Sequence, residues 1–292
     1  MHIVVTGAAG NLGSKLRALL ERSDWCSRIT GIDVVPFEAG PKTTIVNADI
    51  GNAHDEGWIV PVRAADAVVN YSTANPAPNG TWDQSARSMD MTVNLLLHAG
   101  KERPCRYIFA SSNHAMGGYK DAPLPPDGKL RMSTPPISGT HFYVPGKGYE
   151  YGAAYGATKI LGERVAIAHA EASGGQLTTV SLRIGYCQRG ENLPTTLRAS
   201  GAAPGESVGQ APDEYQRDLR WFRNMWLSNP DLDRLLEAAL TADAANWPGP
   251  GIVVSGMSNN TGMAWDLEEA ATWIGYRPVD DVWEGLRRAG MA

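Results

Sequence analysis

The stretch HIVVTGAAGNLGSKLRALLER, residues 2–22, decides the fold. It opens on a β-branched run, His2 to Thr6, breaks at a glycine, and resumes with Leu12, Leu16, Leu19 and Leu20 at helical spacing. The reading is strand, tight turn, helix. The turn, Gly7-Ala8-Ala9-Gly10-Asn11-Leu12-Gly13, is a G-x-x-G-x-x-G array. Gly7 can take backbone angles closed to other residues, Gly10 lets a diphosphate approach the main chain, and Gly13 lets the helix lie close to the strand. Free amides at the helix start, around Asn11 and Leu12, can then hold phosphates. Such an array alone is also compatible with a plain tight turn, so its neighbours must decide.

Outward from this unit the pattern repeats. RITGID, TTIVNAD, DAVVNYS and RYIFASS read as further strands, with MDMTVNLLLHAGK as a helix among them. YGATKILGERVAIAHAEA is a long helix and LTTVSLRIGY another buried strand. Strands alternating with helices imply right-handed crossovers and a parallel, doubly wound α/β sheet of Rossmann type. After about residue 187 the rhythm breaks into the polar, Gly- and Pro-rich CQRGENLPTTLRASGAAPGESVGQAPDEYQ, read as loop and short elements. WLSNPDLDRLLEAAL, with Asn or Asp as its cap, is a helix, and GIVVSGM a late strand. The expected organisation is a nucleotide-binding core over 1–187 that carries the catalytic residues. A small C-terminal substrate lobe over 188–292 interleaves with it in a single compact unit.

Composition narrows the function. The 292 residues are 43% hydrophobic and 20% charged, which suits a soluble globule and excludes disordered and fibrous classes. A net charge of −5, with no lysine-arginine block, argues against nucleic acid or anionic lipid as partner and leaves small molecules. Cys26, Cys105 and Cys187 are far apart and odd in number, so neither a disulfide framework nor a metal site is expected. With no signal-like or membrane-length apolar run, the expected location is the cytoplasm.

Asp33 ends the second strand about 20 residues past Gly13, where a carboxylate accepts hydrogen bonds from the adenosine ribose and repels a 2′-phosphate. Val34, Val35 and Pro36 follow it, with no cation, so NAD is expected rather than NADP. The alternative for Asp33 is a turn cap. Asp49, with Ile50 beside it, ends the third strand and can meet the adenine amino group or cap a turn. Tyr155 and Lys159 stand at i and i+4, so both project from one helix face. A phenol is a poor base at neutral pH, and a neighbouring ammonium favours its phenolate. The pair can take a proton from a substrate hydroxyl as hydride leaves the same carbon.

TGAAGNLG, ASSNHAMGGY, YGATK and LRIGY together resemble the extended short-chain dehydrogenase/reductases, the superfamily of sugar-nucleotide epimerases and dehydratases. More narrowly they are similar to the uronate dehydrogenases, as are WLSNPDLDRL, NNTGMAWD and IGYRPVDD near the C-terminus, so the resemblance spans most of the chain. It implies NAD-dependent oxidation of a sugar acid at C1 to a lactone. Ser112 would be the catalytic serine, Tyr155 the base and Lys159 its partner, the last two also contacting NAD. Asn113 and His114 would contact the sugar. Asn75 stands where the family has a substrate-binding serine. Arg220 and Arg223 straddle the family's carboxylate-binding arginine, whose own position holds Trp221. A homo-oligomer is implied, paired through helices that include the Tyr155 helix.

Residues 117–154 are longer than their counterpart in the family and carry Lys120, Lys129, Arg131, His141 and Lys147. A lid over a larger or differently charged sugar, and a solvated insertion or subunit contact, are both open for it. The rival functions are a sugar-nucleotide epimerase or dehydratase, a dehydrogenase of neutral aldoses or sulfosugars, and a non-catalytic NAD sensor.

Overall fold

The computed structural model describes residues 1–77, 79–144, 148–199 and 213–291. The opening stretch forms β1 (His2–Thr6) and α1 (Asn11–Arg22), followed by β2 (Arg28–Asp33), β3 (Thr43–Asn47), α2 (Glu56–Arg63) and β4 (Ala67–Asn70). Then come α3 (Trp82–His98), β5 (Cys105–Ser112), a 3₁₀ turn over Asn113–Lys120, and a hairpin of β6 (Thr140–Val144) and β7 (Gly148–Gly152). The rest is α4 (Ala154–Ala172), β8 (Leu177–Ile184), α5 (Asp213–Asn224), α6 (Asn229–Thr241), β9 (Gly251–Gly256), α7 (Glu268–Trp273) and α8 (Val282–Arg288).

Seven strands make one sheet in the order β3-β2-β1-β4-β5-β8-β9, and every neighbouring pair is parallel. The chain winds from β1 to β3 on one side, then returns to lay β4 on the other. A crevice therefore opens between the C-terminal ends of β1 and β4, where ligands bind in open α/β sheets. Apolar layers cover both faces. Leu16, Leu20, Leu235 and Leu236 from α1 and α6 bury one side; Trp58, Leu95 and Ala166 from α2, α3 and α4 bury the other. Met116, Leu130, Leu219, Phe222, Met257 and Trp265 form a separate cluster beyond the strand ends.

Four details depart from the sequence reading. Helix α3 starts seven residues before MDMTVNLLLHAGK, because Thr81 and Gln84 form a reciprocal capping box. Helix α6 is capped by the Ser228 side chain, which accepts from the Asp231 N–H, rather than by Asn or Asp. Helix α5 forms where loop was expected at its start, since Tyr215, Leu219 and Phe222 recur at helical spacing and all are buried. The 117–154 segment folds as the 3₁₀ turn and hairpin, and it is tied to the C-terminal part of the chain. Lys129 donates to the Met263 carbonyl, Arg131 pairs with Asp266 at 3.2 Å, and Leu130 bridges to Trp265. Lys147 lies outside the described residues, as does much of the Gly- and Pro-rich run after residue 199.

Candidate active site

A cleft of about 1070 Å³ runs over the crevice between β1 and β4 and continues past the end of β5. Its floor is the glycine turn. Gly7 has φ +65°, and a Cβ there would lie 2.7 Å from the Tyr71 backbone. A Cβ on Gly13 would lie 2.2 Å from the Gly7 carbonyl oxygen. Both positions therefore require glycine for this turn to close. Asn11, Leu12, Asp33, Asp49 and Ile50 line the same end. Asp33 accepts the Ala9 N–H at 2.9 Å and the Val35 N–H at 3.0 Å, so its carboxylate also holds the turn in shape. Asp49 caps its own turn through the Gly51 N–H at 2.8 Å and pairs with Arg87 of α3 at 2.6 Å.

At the middle of the cleft, α4 meets the end of β5. The close approach rests on Gly156, where a Cβ would be 2.5 Å from the His114 carbonyl oxygen. Tyr155 and Lys159 face the cleft beside Ser112, Asn113 and His114. The Lys159 ammonium donates to the Ala110 carbonyl at 2.6 Å and lies 5.5 Å from the centre of the Tyr155 ring. Burial brings its pKa down to about 8, with Glu163 acting to raise it. Burial also pushes the Tyr155 phenol up, while the hydrogen bond to Ser112 pulls it down. Desolvation of the phenol is the larger of these effects, so the net direction is upward, contrary to the simple expectation for an i, i+4 pair. The His114 imidazole sits edge-on to Tyr155, shares a hydrogen bond with the Thr140 hydroxyl at 3.0 Å, and is pushed down to about 4 by burial. It is therefore neutral at pH 7. The Asn113 side chain donates to the Ile184 carbonyl at 3.1 Å. Its buried Oδ1 has no partner among the described residues.

Three expected residues stand apart from this group. Asn75 does not line the cleft; its side chain donates to Gln84 Oε1 at 3.0 Å and accepts from the Ala77 N–H. Arg220 and Arg223 also stay off the wall, and both guanidinium groups lie over the Trp283 ring, 5.8 Å from its centre. From α5 the wall receives Phe222, and just beyond it Met225. The described residues of 117–154 do not line the cleft either.

Sequence reasoning missed the wall beyond β8: Tyr186, Gln188, Arg189 and Asn192. Asn192 has φ +56°, and its side chain accepts the Gln188 N–H at 2.8 Å and donates to the Leu227 carbonyl at 2.7 Å. It holds the loop in place, and nothing local in GENLP announces that role. The α5 residues were within reach through the spacing of Tyr215, Leu219 and Phe222.

Known proteins resemble the chain over nearly its whole length. The chain is 27% identical to the L-arabinose 1-dehydrogenase (NAD(P)(+)) of Haloferax volcanii over 288 residues, 96% of this chain and 97% of the relative. It is 27% identical to the uronate dehydrogenase of Pseudomonas putida, covering 96% of this chain and 84% of that one. The fold matches the crystal structure of a glucuronic acid dehydrogenase from Chromohalobacter salexigens with a TM-score of 0.68 at 23% identity, over 99% of this chain and 87% of that one. The family model for the NAD dependent epimerase/dehydratase family matches residues 3–192, which include the glycine turn, β5 and α4. The chain thus belongs to the NAD-dependent epimerase/dehydratase family.

Proposed function

We propose that the protein oxidises the C1 hydroxyl of a free aldose to the lactone with NAD as oxidant. The observation that carries this is the convergence of Ser112, Tyr155 and Lys159 at the middle of a cleft with a glycine turn at one end. That turn, the Asp33 carboxylate and the Tyr155–Lys159 face would hold NAD, whose chemistry here is acceptance of the C1 hydride. Tyr155 takes the hydroxyl proton, Ser112 donates to the same oxygen as it becomes a carbonyl, and Lys159 supplies the charge that favours the phenolate. Asn113 Oδ1 and the neutral His114 ring orient the other hydroxyls. On this reading residues 1–187 supply the nucleotide site together with Asn113, His114 and Tyr186 of the sugar end, and 188–292 complete that end with Phe222 and Met225.

A neutral aldose suits this wall better than a uronic acid. The sugar end is formed by Asn113, His114, Tyr186, Phe222 and Met225, while Arg220 and Arg223 are turned to Trp283. Arg87, on the nucleotide side, is committed to Asp49. The uronic acid reading is supported by the uronate dehydrogenases among the relatives. It would draw its cation from Arg189, which shares its loop and the cleft wall with Glu191.

The test is a panel of pentoses, hexoses, uronic acids and sulfosugars, followed by NADH absorbance with NAD and NADP side by side. Neutral aldoses are expected to give the highest kcat/KM, and a uronate preference would overturn the substrate assignment alone. Tyr155→Phe should lose at least about a hundredfold in kcat while binding NAD as the wild type does. Undiminished turnover in that variant would remove Tyr155 as the base.

A further inference from the structure

Behind the active residues lies a buried layer of Glu163, Ser111 and Arg183, of which Ser111 also reaches the cleft wall. Behind Tyr155 and Lys159, one turn further along the same face of α4, stands Glu163, 2% exposed. Its carboxylate accepts Ser111 Oγ at 2.6 Å and Arg183 Nε at 2.8 Å on one oxygen, and Arg183 Nη2 at 2.9 Å on the other. Ser111 and Arg183 are register partners on β5 and β8, so the carboxylate grips two adjacent strands at once. Three consecutive residues of β5 are thus fastened to three successive turns of α4. Ser112 bonds Tyr155, the Ala110 carbonyl takes Lys159, and Ser111 bonds Glu163.

We propose that Glu163 is a positioning residue for the oxidation. Paired with Arg183, it fixes the height of α4 over β5 and supplies the counter-charge that keeps Lys159 an ammonium. The inference rests on the oxidative reading above. The groups facing Lys159 leave this task to Glu163. On α4 they are Tyr155 and Glu163; on β5 the Phe109 ring, the Ala110 carbonyl and the Ser111 and Ser112 hydroxyls; on β8 the Arg183 cation. Ser85, Ser88 and Thr92 of α3, which share a small cavity with Lys159, are uncharged. Nearby His114 is neutral at pH 7. Replacing the carboxylate by an amide removes the one anion and leaves Arg183 as a buried like charge, so Lys159 should lose its proton at lower pH.

The experiment is a pH titration of the lysine ¹³Cε resonances in wild type and Glu163→Gln, with Lys159→Met to assign the signal. The pH dependence of kcat/KM for the best aldose is measured alongside. The Lys159 midpoint should start near 8 and fall by about one unit or more in Glu163→Gln. With the ammonium fraction at pH 7.5 falling from about three quarters to about one quarter, kcat/KM there should drop about threefold, and the pH at which the rate declines should move down by the same unit. A scaffold defect would instead lower the rate by the same factor at every pH. Glu163→Asp should restore part of both readouts. If Glu163→Gln fails to fold, Glu163→Gln/Arg183→Gln removes the unpaired cation together with the anion, and a smaller fall in the Lys159 midpoint is expected there. An unchanged midpoint in a folded variant overturns the proposal. Wild-type inactivity on every aldose would overturn the oxidative reading instead, and the titration would still decide whether Glu163 governs the Lys159 charge.

Discussion

Lys120 and Asp218 form an ion pair whose side chains are 1% and 0% exposed, bonded at 3.0 Å, between the 3₁₀ turn after Ser112 and helix α5. Because α5 carries Phe222, the pair fixes one wall of the sugar end. Removing one partner of such a pair costs about 3–5 kcal/mol, since the other charge stays buried. The two partners are not equivalent. In Asp218→Asn, Lys120 keeps Asp121 at 3.0 Å, so the loss should lie at the low end. In Lys120→Met, Asp218 keeps only the half-exposed Arg217 at 3.3 Å, so the loss should reach the high end. At about 2–3 °C per kcal/mol for a chain of this size, Lys120→Met should melt roughly 8–15 °C below the wild type. Asp218→Asn should melt roughly 5–8 °C below it. The double variant Lys120→Met/Asp218→Leu should cost less than the sum, because no charge is stranded. Urea melts and differential scanning fluorimetry read the stabilities, and initial rates read the site. KM for the aldose should rise in both single variants while the affinity for NAD holds. If Lys120→Met cost less than about 1 kcal/mol, or Asp218→Asn were the costlier change, the reasoning would fail.

Gly13→Ala brings a methyl within 2.2 Å of the Gly7 carbonyl, so the turn must open by roughly 1 Å. An overpacking cost of about 1–3 kcal/mol corresponds to NAD binding weakened roughly 5- to 150-fold, read by calorimetry, and unchanged affinity would refute it. Burial holds His114 near 4 against an ordinary 6.5. As pH falls through that window the unfolded chain gains a proton that the folded chain refuses, so stability declines. The slope is at most about 1.4 kcal/mol per pH unit, less where cleft water reaches the ring. His114→Asn should flatten the slope in urea melts between pH 6.5 and 4.

The fold was legible where its cause is local. The glycine turn, the helix after it and the alternation of apolar strands with helices each carry their own periodicity. The order β3-β2-β1-β4 then follows from right-handed crossovers. The Tyr155–Lys159 pair was legible because i, i+4 spacing on a helix fixes its own geometry. The hairpin β6–β7 and the loop around Asn192 were not. Their shape comes from contacts far along the chain, such as Asn192 with Leu227, and these leave no period in the sequence.

Helix α5 lies between these cases and bears on the charge of the substrate. Each residue turns a helix by about 100°, so Arg220 lies about 160° from Phe222, whereas Arg223 lies about 40° from Leu219. Arg220 and Phe222 therefore cannot point into the cleft together. The choice falls to burial, since Leu219 and Phe222 close the cluster around Trp265, whereas the guanidinium groups find the Trp283 ring. Rotating α5 to offer Arg220 would expose Phe222 and Leu219, at a cost of about 1.5–3 kcal/mol for each side chain. A single carboxylate contact in a water-filled cleft returns about 1.5–3 kcal/mol, less than the rotation takes. On the proposed reading, the side of α5 that meets the sugar is therefore set by core packing.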